Sequence, residues 1–363
     1  MAAGSVWSSL GCRQRGVNAA AGIDLRHCYR APRDRKFATR PRRFGDPEGI
    51  WPYSDPGLAS SIAQKGGPCL LMQRVVASIR YRSGLVAAAV LPEAVYSALI
   101  VMQRHRANIG VFPNIVRPKT YNEKVLHRML FDRRPILTQL QDKYAVRAYV
   151  KDILGEDTLP RLYWVGTNPV EMPFDDFPNR FVVKPTHGSG WYRLISDKVA
   201  VDRHELIEQC KFWLSQNYYY VGREWVYKNI VPRILVEEYI NDGTGPDPIR
   251  YKVLIFHGNA QVITAEVGVP GQASYGFYGR SWERLAGFYP RWKVIGDLVA
   301  PKHLAELIRY AEILAGGLDF IRVDLFDTET KVYVGELTTC PGGGTTPFSP
   351  SEFDRELGAL WNP

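Results

Sequence analysis

Residues 320–344 read FIRVDLFDTETKVYVGELTTCPGGG, a stretch with two apolar segments on either side of a polar turn. In the first segment, residues 320–326, aliphatic side chains recur at every second position, which is the period of a β-strand. The second segment, residues 331–337, is rich in β-branched and aromatic residues. Residues 327–330 between them are typical of a tight turn. The stretch therefore predicts a β-hairpin.

The hairpin carries charged residues that could form a metal site. Arg322 and Asp324 share one face of the first strand, because side chains two residues apart point the same way. Glu336 on the second strand would lie beside Asp324. Two carboxylates facing one space suit Mg²⁺, which accepts one or two carboxylates together with substrate phosphates. A salt bridge from Arg322 to Asp324 or Glu336 is the alternative, and the residues alone favour both interpretations about equally.

A lysine ends a second predicted strand, residues 180–184. Lys184 lies on the face opposite to Phe181 and Val183. The small residues of the following segment, 186–190, would let backbone N–H groups approach phosphate oxygens, and the lysine would add positive charge. The order of residues is not that of a P-loop. An ordinary glycine turn after a surface strand explains the same residues.

Two further segments could bind a ligand through their backbones. The glycine-rich residues 338–344 would expose N–H groups to an oxyanion or a carboxylate. The strand 233–237 is followed by Glu238, Tyr239 and Ile240, which could offer backbone groups to a purine. A surface turn and a common amphipathic strand end are the respective alternatives.

The rest of the chain alternates between helical and strand patterns. Helices are predicted at residues 121–131 and 142–154 and from Pro301 to about Leu314. A further helix is predicted to begin after Asp202, which together with Glu205 resembles a capping pair. Further strands are predicted at residues 161–165 and 251–256. This mixture predicts an α/β or α+β enzyme built in lobes.

The positive charge of the chain is concentrated at its N-terminus. Residues 1–45 carry ten basic and two acidic residues, which is eight of the nine net positive charges. The remainder is close to neutral and gives no general argument for nucleic-acid binding. Residues 1–74 have no sustained apolar period, and we expect a basic, disordered arm and a linker there.

No segment has the pattern of a transmembrane helix. The most apolar stretch, residues 85–102, is interrupted by Pro92 and Glu93, so two short helices broken at the proline are expected. The five cysteines are not spaced as metal ligands and fit a reducing compartment. We therefore expect a cytoplasmic protein.

The order and spacing of these parts resemble ATP-grasp ligases such as D-alanine–D-alanine ligase. They look closer still to the branch named for teichuronopeptide biosynthesis, the TupA-like ATP-grasp proteins. The resemblance covers about residues 90–362. It is carried by PKTYNEKVLHRM (118–129), DKYAVRAYV (142–150), FVVKPTHGSGW (181–191), ILVEEYI (234–240), RYKVLIFHG (250–258), FIRVDLF (320–326) and VGELTTCPGGG (334–344).

The resemblance implies an ATP-grasp fold of three lobes. An N-terminal lobe would comprise residues 75–160 and a small lid lobe residues 161–238. A C-terminal lobe, residues 239–363, would carry the metal site, and ATP would lie between the lid and this lobe.

The resemblance also implies a role for each matching residue. The implied ATP-binding residues are Lys143 and Lys184 at the phosphates, Gly188, Ser189 and Gly190 in a mobile covering loop, and Glu237, Glu238, Tyr239 and Ile240 in the adenine-binding hinge. The implied Mg²⁺ ligands are Asp324, Glu336 and Thr338, and the implied catalytic residues are Arg322, which would stabilise the acyl-phosphate, and Lys252. Two positions depart from the family pattern. Thr338 stands where many relatives have Asn, and Arg250 stands where the branch usually has Asp facing the ribose.

The activity implied is an ATP-dependent carboxylate–amine ligation through an acyl-phosphate. Within the branch, the implied carboxylate is a uronic-acid-containing cell-surface polymer, and the amine is an amino acid. A phosphotransferase of the same fold and a glycan-recognising nucleotide-binding protein without turnover are the alternatives.

Overall fold

The computed structural model describes residues 92–242, 248–268 and 273–361. Its α-helices are α1 Glu93–Ile109, α2 Tyr121–Phe131, α3 Pro135–Gln141, α4 Ala145–Leu154, α5 Arg203–Leu214, α6 Tyr218–Gly222, α7 Leu304–Leu314 and α8 Glu352–Leu360. Its strands are β1 Leu162–Gly166, β2 Phe181–Pro185, β3 Arg193–Ile195, β4 Ile234–Glu238, β5 Arg250–Phe256, β6 Asn259–Val267, β7 Ser274–Tyr278, β8 Lys293–Val294, β9 Phe320–Asp327 and β10 Val332–Thr338. The arm predicted at residues 1–74 lies outside the described residues.

A four-stranded antiparallel sheet is formed within residues 162–238, in the order β1-β4-β2-β3. Phe181 and Val183 of β2 are buried, whereas Lys184 is on the other face, as the alternation predicted. Helix α5 packs on the buried face through Leu206, Cys210 and other apolar residues. Its first turn is capped by Asp202, whose carboxylate accepts a hydrogen bond from the Glu205 amide.

A six-stranded sheet follows, in the order β10-β9-β5-β6-β7-β8. All its pairs are antiparallel except β7 with β8. The hairpin predicted from residues 320–337 is confirmed as β9 and β10, at the edge of this sheet. The fold is therefore a mixed α+β arrangement with the predicted charged hairpin in its larger sheet.

Both faces of the larger sheet are covered. One face, with Val253, Ile263 and Val323, packs against residues of α3, α4 and α7. The other face, with Phe256 and Phe320, packs against residues of α1, α2 and α8 at one end. The helices described between residues 93 and 154 thus share their apolar cores with the larger sheet.

Several element boundaries differ from the sequence predictions. The helix predicted from residue 142 begins at Ala145. Before it, the Asp142 carboxylate accepts hydrogen bonds from the Tyr144 and Ala145 amides and holds a turn. The helix predicted from Pro301 begins at Leu304. Residues 93–109 form one helix that begins directly after Pro92, where the sequence predicted a break; the helix expected before Pro92 lies outside the described residues. Among the described residues, no helix is long and apolar enough to cross a membrane.

Candidate active site

A β-bulge in the hairpin determines which way Glu336 points. The pairing register of β10 shifts at Gly335, so that Glu336 rather than Gly335 stands opposite Asp324. In the unshifted register Glu336 would stand opposite Val323 and would point to the other face of the sheet, because successive side chains alternate. The bulge therefore brings the two predicted metal carboxylates onto one face.

Arg322 and Thr338 complete this group on the same face. The Arg322 guanidinium donates two hydrogen bonds to the Asp324 carboxylate, at 2.6 Å from Nε and 2.8 Å from Nη2. Its Nη2 also donates to Thr338 Oγ1 at 3.0 Å. The salt bridge that the sequence left open is thus present. It does not exclude a metal, since a carboxylate has further lone pairs beyond two hydrogen bonds.

Lys143 joins the hairpin to the smaller sheet. Its Nζ donates to Glu336 Oε1 at 3.0 Å and to the Gly188 carbonyl at 2.7 Å. Burial alone would raise the pKa of Glu336, but Lys143 and Arg322 outweigh burial and hold this pKa well below its usual range, whereas burial raises the pKa of Asp324. Glu336 is therefore ionised at neutral pH, as a metal ligand must be.

The donor set suits Mg²⁺ in its chemistry. Asp324 and Glu336 supply hard oxygen atoms from neighbouring strands, and the Thr338 hydroxyl lies beside them. Within the described ranges no cluster of three or more His, Cys, Asp or Glu side chains could hold a metal ion. Two carboxylates agree with a magnesium ion that takes its remaining ligands from phosphates and water.

Lys184 faces the same cleft from the smaller sheet. Its ammonium pairs with the Glu237 carboxylate on the adjacent strand, and Arg147 Nη1 lies 3.4 Å from the second oxygen of that carboxylate. The narrow cleft between the sheets is lined in part by Lys143, Arg147, Lys184, Glu237 and Glu336. The structure thus brings both predicted phosphate-binding lysines to one cleft beside the carboxylate pair.

The predicted hinge continues from β4. The Glu238 carboxylate accepts a hydrogen bond from the Arg161 amide at 3.0 Å, so this side chain is held at the sheet edge. Tyr239 and Ile240 are buried, and the Arg180 guanidinium lies 4.2 Å from the centre of the Tyr239 ring. The hinge therefore adjoins the lysine side of the cleft.

The predicted covering loop joins β2 to β3. Gly188 is buried, whereas Ser189 and Gly190 are exposed. A side chain at Gly188 would collide with the Trp191 ring, since a Cβ would lie 2.3 Å from a ring carbon. Gly190 has a φ of +70°, which favours glycine. Close packing and a positive φ therefore explain two glycines of this loop.

Lys252 lies next to Asp324 across the sheet, but its ammonium pairs with Glu266 of β6. Arg250 Nη2 also donates to Glu266, at 2.7 Å. Burial opposes ionisation of Glu266, yet Lys252 and Arg250 outweigh it and lower the pKa to about 2. Arg250, which departs from the family pattern, thus has the buried Glu266 carboxylate as its partner. Sequence reasoning missed Glu266, because β6 was not predicted.

A second missed carboxyl belongs to Glu224, which directly precedes the short 3-10 helix Trp225–Tyr227. It is buried, and the charges of Glu336, Lys143 and Arg322 act on it. The nearest signal in the sequence was its position between three tyrosines, residues 218–220, and the segment Trp225–Tyr227. The glycine-rich loop beside it has φ values of +61°, +56° and +65° at Gly342, Gly343 and Gly344.

The bulge gives a testable stability prediction. A Cβ at Gly335 would lie 2.7 Å from the Phe326 ring and 3.3 Å from the Asp324 carbonyl oxygen. We expect Gly335→Ala to lower the free energy of unfolding by about 1–3 kcal/mol through overpacking, measured by urea denaturation. Gly296→Ala is the control, since no heavy atom lies within 4 Å of a Cβ there. Equal stability of the two variants would contradict the importance of the bulge.

Comparison with solved structures gives weak similarities to ATP-grasp enzymes. D-alanine–D-alanine ligase from Bacillus anthracis, complexed with ATP, is 18% identical, with 57% of this chain and 56% of that chain covered and a TM-score of 0.33. The corresponding ligase from Helicobacter pylori is 19% identical, with 62% and 61% covered and a TM-score of 0.31. The ATP-grasp ligase PsnB, complexed with a minimal precursor, is 14% identical, with 63% and 62% covered and a TM-score of 0.33. The chain thus spans less than two thirds of each of these solved chains.

A search of curated proteins finds no match. A family model, described as TupA-like ATPgrasp, matches residues 123–362. The match covers about two thirds of the chain and includes every predicted site residue, from Lys143 to Thr338. It begins later than the resemblance expected from about residue 90. On this match, the chain has an ATP-grasp fold and belongs to the TupA-like ATP-grasp family.

Proposed function

We propose that this protein is an ATP-dependent ligase that activates a carboxylate and joins it to an amine. The proposal is carried by one observation: Lys143, Lys184 and Glu336 line one cleft between the two sheets, and Asp324, bonded to Arg322, stands opposite Glu336 on the hairpin. Such a cluster combines cations that would bind phosphate with two carboxylates of the kind that bind Mg²⁺. A cytoplasmic location goes with this proposal, because ATP is the co-substrate.

The residues divide into two groups around the transferring phosphoryl group. Lys143 and Lys184 would bind phosphate oxygens, and on doing so each would exchange its present carboxylate partner for the phosphate. Asp324, Glu336 and Thr338 would hold Mg²⁺, which would offset charge on the phosphoryl group when bound. These contacts would position ATP for transfer to a carboxylate oxygen of the substrate.

The catalytic group on the substrate side would be Arg322, assisted by the backbone of the glycine-rich loop. Its guanidinium would stabilise negative charge on the acyl-phosphate and on the tetrahedral species that follows. The backbone of residues 342–344 would support the same oxyanion. Lys252 would contact the carboxylate substrate or a phosphate. We propose a uronic-acid-containing glycan as the carboxylate and an amino acid as the amine.

The test is ADP release in the presence of Mg-ATP and D-glucuronate, with and without the standard amino acids, and with hydroxylamine as a small amine. Ligation predicts ADP release that requires both the carboxylate and an amine, with formation of an amide or hydroxamate. A phosphorylated sugar hydroxyl without an amine requirement would indicate a phosphotransferase. ATP binding without ADP release under any condition would indicate a binding protein.

A further inference from the structure

Glu224 is a buried carboxyl without a partner in the described part of the chain. Glu224 is 7% exposed to solvent. Among the described residues, no hydrogen bond reaches either carboxylate oxygen, and no cationic side chain forms an ion pair with it. Burying an unpaired carboxylate is unfavourable, so such a group is usually retained for a ligand or for catalysis.

The carboxylate lies beside the glycine-rich loop of the candidate active site. A Cβ placed on Gly343 would be 4.0 Å from Glu224 Oε1, and one placed on Gly222 would be 3.0 Å from it. Glu224 also experiences the charges of Lys143, Arg322 and Glu336. It thus lies between the end of α6 and the loop that we expect to support the oxyanion.

The backbone before Glu224 is held in an uncommon conformation. Arg223 has φ +61° and ψ +19°, a left-handed geometry that is unfavourable for a residue with a Cβ. Arg104 fixes this turn, because its guanidinium donates to the carbonyls of Val221 and Gly222 at 2.7 and 3.1 Å. Strained residues of this kind persist where the surroundings enforce them, and they cluster at functional sites.

Arg104, the cation that acts most strongly on Glu224, forms no ion pair with it among the described residues. Arg104 acts on Glu224 through its charge, but its two hydrogen bonds go to backbone carbonyls. Burial raises the pKa of Glu224 to about 8. A cationic ligand would compensate this carboxylate, and the proposed reaction includes one such ligand, the ammonium group of an amine substrate.

We propose that Glu224 binds the ammonium group of the amine substrate and holds its nitrogen beside the glycine-rich loop. This inference rests on the proposed ligase function and adds a residue that recognises the amine. When the ammonium binds, its charge holds Glu224 as the carboxylate and the carboxyl proton passes to solvent; in the reaction, one proton then passes from the ammonium to a Glu224 oxygen. The neutral amine then forms the N–C bond while the C–O bond to phosphate breaks. The second amine proton leaves with the phosphate, which departs as hydrogen phosphate.

The test compares a charged amine with hydroxylamine, which is largely uncharged at neutral pH. ADP release is measured for wild type, Glu224→Gln and Glu224→Asp with Mg-ATP, D-glucuronate and either the most active standard amino acid or hydroxylamine. For Glu224→Gln we expect the KM for the amino acid to rise about ten- to a hundredfold, the loss of one charge-assisted contact. Turnover with hydroxylamine should change less than about threefold, and Glu224→Asp should recover part of the affinity. Glu208→Gln, on the surface of α5 with a side chain 41% exposed, is the matched control.

Stability separates a binding role from a structural one. Because the folded-state pKa of Glu224 is raised, the wild type loses stability as the pH rises from about 4.5, the pKa of an unperturbed Glu, to about 8. Glu224→Gln removes this loss. Its melting temperature should therefore exceed that of wild type at pH 9, with a smaller difference at pH 5. If Glu224→Gln is less stable than wild type at pH 9, Glu224 is not an unpaired carboxylate, and the inference fails.

The outcomes distinguish this inference from the proposed function. If the wild type releases no ADP with any amine, the ligase function fails, and the assignment of Glu224 fails with it. If the wild type is active and Glu224→Gln has an unchanged KM for the amino acid, only the assignment is overturned. Equal losses with the amino acid and with hydroxylamine would likewise overturn it, because they would show a general defect of the active site.

Discussion

Replacing Glu336 with glutamine is expected to reduce ADP formation about a thousandfold while the fold is retained. The substitution keeps the shape of the side chain but removes a negative charge that pairs with Lys143 at 3.0 Å. If Glu336 shares Mg²⁺ with Asp324, the loss removes several kcal/mol of transition-state charge stabilisation, and about 4 kcal/mol corresponds to a thousandfold. The measurement is ADP release with Mg-ATP, D-glucuronate and hydroxylamine, with the melting temperature recorded in parallel.

The matched control lies in the same hairpin. Glu329 is in the turn between β9 and β10, and its side chain is 83% exposed beside Lys302. Glu329→Gln makes the same chemical change outside the cleft and should leave ADP formation within about twofold of wild type, since exposed ion pairs contribute little. Near-normal turnover by Glu336→Gln would refute its assignment as a metal ligand.

Replacing Lys184 with methionine is expected to weaken ATP binding about ten- to a hundredfold. Removing one charge-assisted contact to a phosphate costs about 1.5–3 kcal/mol. The structure adds a second consequence, because Lys184 is an ion-pair partner of Glu237, whose side chain is 9% exposed. Arg147, at 3.4 Å, would remain as the other partner of that carboxylate. The melting temperature should therefore fall as well, but the fold should survive.

The binding measurement is titration of a fluorescent ATP analogue. Lys211→Met is the control, because this lysine lies on α5 of the same segment with its side chain 50% exposed and pairs only with a nearby surface glutamate, Glu208, among the described residues. Lys184→Arg should also bind poorly, since a planar guanidinium fits the site of an ammonium badly. Equal affinities of Lys184→Met and Lys211→Met would show that Lys184 does not contact the nucleotide.

Local patterns in the sequence located the central elements. The alternation of aliphatic and charged residues at 320–326 predicted β9, and the turn residues after it predicted the hairpin, because both signals depend on neighbours in the chain. Helix α2 was predicted with its observed bounds, and Lys184 was placed on the face that it occupies. The strands β6 and β7 were missed. They pair with neighbouring strands of the chain, β6 with β5 and β7 with β6, but five successive residues of β6, 262–266, are buried, and burial on both faces leaves little periodic signal.

The sequence by itself determined the residue types and the local faces of this site, since the alternation of side chains along a strand is a property of the backbone. Only the tertiary structure decided which faces meet. The shift at Gly335 turned Glu336 toward Asp324, and strand pairing placed Glu266 beside Arg250 and Lys252. A turn held by Arg104 directed Glu224 to the glycine-rich loop. These placements depend on strand register and, for Glu224, on contacts between residues far apart in the chain, which no local period encodes.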